Sequence, residues 1–395
     1  MMVMSVMPVR TQGQARVRIV AARCMVALYL LLPPAVMAQE QAASAVAANA
    51  ATSPAAECDP KKVPCDGIDF HVLFENDLFS EALGFGHSDR WYTNGIKLMI
   101  TRKGSIAPLQ LLADAADKVR PLASRILGDP ENIQSGYAAG QLMFTPANIL
   151  QTAPQPNDRF WGAFLYVGSI VQTSSSNTSG NLVTDDVRTA EVDVGLIGPP
   201  ALGDQTQTQV HKAFGYNLPR GWSNQLPAEA GIQATYVRSI RWGGSAASGL
   251  GRYVDVSSHR GFAVGTLFDS VNAGATARIG SNLAGVPVGT IERPSLANFR
   301  PTANNFYGMV GFDLKAVAHN TFVDGSLFRA APYASQMRSK PLVVQSTMGV
   351  VAELVDFPIK RISFLINRRS SEFTAPGFSA QAQTFATMLL EWHFK

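Results

Sequence analysis

From Ile68 onward, apolar and polar residues alternate with a period of two. In Thr93 to Arg102, Ile96, Leu98 and Ile100 fall on one face while Thr93, Gly95, Lys97 and Thr101 fall on the other. That is the pattern of a strand with one apolar and one polar side. Phe306 to Val317 repeats it, with Phe306, Val310, Phe312, Leu314 and Ala316 opposing Tyr307, Asp313 and Lys315. Ile362, Phe364 and Ile366 likewise oppose Arg361, Ser363 and Asn367, and Met388, Leu390, Trp392 and Phe394 oppose Thr387, Leu389, Glu391 and His393. Similar segments near residues 137–144, 159–173, 187–196, 229–241, 259–268, 270–280, 342–354 and 380–394 are set apart by clusters of Gly, Ser, Asn and Pro. Together they predict about twelve strands.

Two architectures satisfy this pattern: a soluble β-sandwich whose apolar faces meet, and a transmembrane barrel whose apolar face meets lipid. Strands of about ten residues and a closing aromatic-rich strand favour the barrel. The expected fold is therefore all-β, an antiparallel transmembrane β-barrel of about twelve strands. One segment departs from it. Ile106 to Leu127 carries Leu109, Leu112, Ala116, Val119, Leu122 and Ile126 at helical spacing, which predicts a helix in an extended loop. It either packs over a barrel mouth or shapes a lipid-binding groove.

Composition narrows the choice further. Charged residues make up only 16% of the chain, against roughly 25% in soluble domains. The 21 Phe, 9 Tyr and 5 Trp are too much apolar area for a disordered chain. No apolar run reaches the roughly 18 residues a membrane-spanning helix needs.

The N-terminus supplies the compartment. Arg10, Arg16, Arg18 and Arg23 precede an apolar stretch from Cys24 to Leu32, and Val36-Met37-Ala38 offers small residues for cleavage before Gln39. Residues 1–38 thus read as an export signal peptide. Without these four arginines, Lys plus Arg falls from 33 to 29, level with the 29 Asp plus Glu. The basic balance therefore belongs to the signal and argues nothing for nucleic acid. Residues 39–66 form a leader rich in Ala and Ser, with Cys58 and Cys65 close enough in sequence for a local disulfide. The barrel spans 67–395.

Three polar clusters could carry chemistry. Asn76 and Asp77, in Phe74-Glu75-Asn76-Asp77, put two oxygen donors where a strand ends; such donors suit a hard cation and also serve as ordinary turn residues. Thr93 lies in Asp89-Arg90-Trp91-Tyr92-Thr93-Asn94-Gly95, where its parity turns the hydroxyl inward. His211, one of six histidines, sits in a polar stretch with no apolar periodicity, between Gly195-Leu196-Ile197-Gly198-Pro199 and Gly221-Trp222 with Gln225. A neutral imidazole is the usual general base near pH 7, although a single histidine is also common as a structural residue. No G-x-S-x-G elbow, H-E-x-x-H pair or P-loop occurs.

In this order the clusters resemble the outer-membrane lipid A 3′-O-deacylase family of the LpxR type. The matching text is Glu75-Asn76-Asp77-Leu78-Phe79, Asp89 to Gly95, Gly140-Gln141 with Phe144-Thr145-Pro146, and Asp158-Arg159 through Ala163-Phe164-Leu165. Gly195 to Pro199, Gln209 to His211, and Gly221-Trp222 with Gln225 complete it. The resemblance implies a twelve-stranded outer-membrane barrel that hydrolyses an ester of lipid A with Ca2+ and releases the 3′-linked acyloxyacyl group. His211 would be the general base. Asn76 and Asp77 would build the calcium or substrate-orienting site beside Thr93.

At two positions the sequence departs from the family pattern. Asn217 stands where a glutamate is expected, keeping an oxygen ligand for the metal without the charge, with Glu229 as a possible substitute. Gln151 stands where a lysine is expected. The implied partners are lipopolysaccharide and outer-membrane lipids around a monomer. The competing readings are a non-catalytic barrel with a structural or transport role, and a periplasmic β-sandwich.

Overall fold

The computed structural model describes residues 67–77, 91–103, 132–179, 182–244, 252–281, 283, 304–378 and 380–394. The expected signal peptide, the leader with Cys58 and Cys65, and the helix over Ile106 to Leu127 lie outside them. The described residues divide into two compact units, one of Gln207–Leu218 and the other of the rest.

The larger unit is a closed antiparallel barrel. Its strands are β1 (Ile68–Asn76), β2 (Trp91–Lys103), β3 (Asn132–Thr145), β4 (Gly162–Ser179), β5 (Leu182–Ile197), β6 (Glu229–Gly244), β7 (Val254–Gly265), β8 (Phe268–Gly280), β9 (Asn305–Asn320), β11 (Leu342–Glu353), β12 (Ile359–Arg369) and β14 (Gln383–Phe394). The short strands β10 (Arg338–Ser339) and β13 (Phe373–Thr374) pair as a separate ribbon. A four-residue helix, Thr321–Asp324, follows β9. Each barrel strand pairs with the next, and β1 closes on β14 from Ile68 opposite Phe394 to Asn76 opposite Ala386. Closure leaves no unpaired edge, the condition for a sheet to cross a bilayer. No described helix is long and apolar enough to do so.

The period of two becomes an inside and an outside. Ile100, Val167, Val192, Phe306, Val310, Phe312 and Met348 are exposed on the outer face, which is the face that meets lipid. The inner face carries charges that pair across strands. Lys97 bonds Glu191. His71 lies 2.9 Å from Glu391 and 2.8 Å from Thr101. Asp255 takes Arg241 at 3.2 Å and Arg278 at 2.6 Å, and His259 meets Asp313 at 2.6 Å. Removing one partner of such a pair leaves an uncompensated buried charge, the costly case.

One end of the barrel holds Ile68 and Phe394. At the other end aromatic side chains fill the lumen: Tyr92 packs 5.1 Å from Phe385, and Phe144 stacks 4.0 Å from Phe322. Phe164 and Phe268 belong to the same core. The candidate residues of β1 and β2 sit at this packed end.

Candidate active site

Asn76 is the last residue of β1, and Asp77 begins the bend that follows. Both are buried. Asn76 is opposite Asn94 on β2, and its amide nitrogen donates to Thr93 O at 3.2 Å and Asn94 Oδ1 at 3.3 Å. Nδ2 is thereby committed, so Oδ1 is the atom this side chain offers as an acceptor.

Thr93 does not have the parity expected of it. The β2–β3 register slips between Tyr92 and Asn94, so Thr93 is the extra residue of a β-bulge, which re-aims side chains locally. Tyr92 remains inward, its hydroxyl bonded to Glu75. Thr93 instead bonds Thr145, hydroxyl to hydroxyl, at 2.7 Å. Thr145 shares the parity of Met143, which packs with Ala163 and Trp222 outside the lumen. Asn76, Asp77 and Thr93 are thus brought together at the rim, with the threonine facing out of the barrel.

His211 belongs to α1 (Gly203–Phe214), a helix in a stretch that lacks apolar periodicity. Its ends carry the missing signal: Asp204 lies in the first turn, with His211 and Lys212 in the last, matching the helix dipole. Gly215 has φ 74°, a left-handed C-terminal stop that glycine supplies at least cost. The reversal lets Tyr216 N donate to His211 O at 2.9 Å and sets the tyrosine ring edge-on to the imidazole, 5.8 Å between centroids.

The next residue, Asn217, brings its backbone carbonyl 2.5 Å from His211 Nδ1. A carbonyl only accepts, so Nδ1 carries the hydrogen and Nε2 of the neutral ring keeps its lone pair. Asn217 therefore serves His211 through its backbone, whatever its side chain, and that side chain is exposed. Glu229, the acid expected to stand in for the missing glutamate, accepts from the Ser326 hydroxyl. Gln151 bonds Ala153 O and Pro154 O within its own loop.

The remaining motifs turn out to be architectural. Asp158 accepts from Trp91 Nε1 at 2.9 Å, Arg159 N at 2.7 Å and Ala147 N at 2.7 Å. Burial pushes its carboxyl above the ordinary range, and these donors pull it partly back. Arg159, fully buried, reaches Glu372 at 2.8 Å and lies 5.1 Å over the Phe144 ring. Burial raises Glu372, but Arg159, Arg369 and Lys315 outweigh it and hold the carboxyl below its usual range. Gly221 faces Trp161, which a Cβ at that position would meet at 2.6 Å, so Gly221-Trp222 is a packing motif.

The profile of the family described as outer membrane protein LpxR matches residues 25–394. The chain belongs to this outer-membrane LpxR family. The solved structure of LpxR from Salmonella typhimurium has the same fold, with a TM-score of 0.60 at 19% identity over 82% of this chain and 100% of that one. The β domain of the Bordetella autotransporter BrkA covers 83% of this chain and 99% of its own at 10% identity, with a TM-score of only 0.35. The translocator domain of autotransporter NalP from Neisseria meningitidis reaches 0.33 at 7% identity over 91% of this chain and 96% of its own. No curated protein matches the chain. The family places the chain in the outer membrane and supports a lipid A deacylase, and the structural likeness shows the shared fold.

Proposed function

We propose that the protein hydrolyses the ester that holds the 3′-linked acyloxyacyl group on lipid A, with His211 as general base and calcium as cofactor. The observation that carries this reading is the hydrogen bond from His211 Nδ1 to the Asn217 carbonyl, which puts the hydrogen on Nδ1 and so makes Nε2 the basic nitrogen that would take a proton from water. The water oxygen then adds to the ester carbonyl. Collapse of the tetrahedral intermediate breaks the bond to the sugar oxygen, and the proton held on Nε2 passes to that leaving oxygen. No nucleophilic serine is needed, consistent with the lack of a serine elbow.

Asn76 and Asp77 suit calcium, because amide and carboxylate oxygens are hard donors. Among the described residues no three His, Cys, Asp or Glu side chains gather, so what the described residues would add to such a shell is neutral oxygens. When bound, the ion would polarise the ester carbonyl and stabilise the developing oxyanion. Thr93 holds the rim that carries Asn76, through its carbonyl. The transport alternative gains no support from a lumen packed with Tyr92, Phe144 and Phe385.

The test is incubation of the detergent-purified protein with lipid A, with calcium and with chelator. A product lighter by an acyloxyacyl group only with calcium is expected. Equal product in chelator would remove calcium from the account, and no product under either condition would remove the activity.

A further inference from the structure

Three arginines stand side by side on the outside of the barrel wall. Arg188 of β5 is opposite Arg238 of β6, and Arg238 is opposite Arg260 of β7. The row therefore spans about 10 Å, two inter-strand spacings. Its parity is that of the exposed Val192 and Val194 on β5, Ile232 on β6 and Val264 on β7, so it faces lipid. Like charges directly opposite each other repel, and an arginine on the lipid face costs least near the bilayer surface.

The molecule compensates only part of this charge. Asp186 accepts from Arg238 at 2.9 and 2.8 Å and from Arg188 at 2.9 Å. Arg260 is exposed, and no ion pair to it occurs among the described residues. Asp186 thus lies between Arg188 and Arg238, and Arg260 stands beyond its reach at the end of the row.

The level of the row on the wall is defined by its neighbours. On β5 the outward residues change from Val192 and Val194 to Asp186 and Thr184 as the row is passed. On β4, Thr173 is opposite Arg188, with Val167 on one side of it and Ser175, Asn177 and Ser179 on the other. Along β6, Tyr236 and Trp242 flank Arg238, and such amphipathic aromatics gather at the membrane–water interface. Tyr236 packs 5.6 Å from Phe262 of β7.

We propose that Arg188, Arg238 and Arg260 form an exterior site for the phosphate of a glycerophospholipid. Its phosphodiester would take the guanidinium fork of Arg260 and the remaining N–H groups of Arg238, the planar geometry that suits arginine to phosphate. The acyl chains would run beside Phe262 and Val264. One phosphate fits better than the two of lipid A, because Asp186 already occupies the Arg188 side of the row. The proposal is independent of the catalytic reading.

The test is native mass spectrometry of the full-length mature barrel in neutral detergent, titrated with phosphatidylglycerol, a phosphate-free glucosyl diacylglycerol, or lipid A. One tightly retained phosphatidylglycerol is expected, at least tenfold weaker in Arg260→Gln, since a hydrogen bond to a charged group is lost. Heat-modifiable gel mobility would verify that this variant is folded. Should it fail to fold, wild-type retention carries the test alone, and should fall as ionic strength rises. Equal retention of the glucosyl lipid, unchanged binding in the variant, or insensitivity to salt would overturn the site. Stronger retention of lipid A than of phosphatidylglycerol would overturn its assignment to a glycerophospholipid.

Discussion

At the scale of single residues, the proposed reaction turns on how His211 is held. Its Nδ1 is fixed by a backbone carbonyl, so Asn217→Ala should leave kcat within about threefold of wild type, since the backbone acceptor remains. His211→Gln should lower kcat by about 10²–10⁴-fold, the range of general-base catalysis, with little change in KM. Thr93→Val should break the bond to Thr145, and Thr93→Ser should restore it. A KM-against-kcat comparison of the two variants checks that the threonine acts by positioning. Asn76, Asp77 and His211 were legible as candidates because their motifs are local in sequence. The outward turn of Thr93 was not, because a one-residue bulge leaves no mark in a period-two pattern.

At the scale of elements, the strands were readable because nearly every one carries an apolar lipid face against a polar lumen face. The expected segments 342–354 and 270–280 correspond to β11 and β8, while the expected segment 159–173 starts before and ends short of β4. The helix α1 escaped, since its polar sequence offers no stripe and only its end residues betray it. Its stop makes a prediction: Gly215 has a positive φ, so Gly215→Ala should destabilise this reversal by about 1 kcal/mol and lower kcat by loosening Asn217 against His211. Steady-state kinetics of that variant would check it. The pairing of Asp158 with Trp91 and of Arg159 with Glu372 lay beyond sequence reading, because the partners are brought together only by closure of the barrel. Glu372 has its carboxyl held down in the folded state, so its contribution to stability is present above its unfolded pKa of about 4.3 and is lost as pH falls through the lower folded value. Unfolding against pH should show a shallower acid limb in Glu372→Gln than in wild type.

At the scale of the whole molecule, the described barrel pairs charges across its inner face and exposes apolar residues outside. A basic substitution on the lipid face, such as Phe312→Arg, should cost about 2–4 kcal/mol near the bilayer midplane. The reverse change at Arg260 should be far milder, since it removes a charge from that face. Refolding yields into lipid vesicles, read by heat-modifiable gel mobility, would rank the two. In the proposed reaction this outer-membrane barrel deacylates lipid A through His211. Mass spectrometry of lipid A incubated with the wild-type protein and with His211→Gln tests it most directly. Loss of an acyloxyacyl mass is expected with the wild type, and intact lipid A with the variant. The same product from both proteins would contradict it.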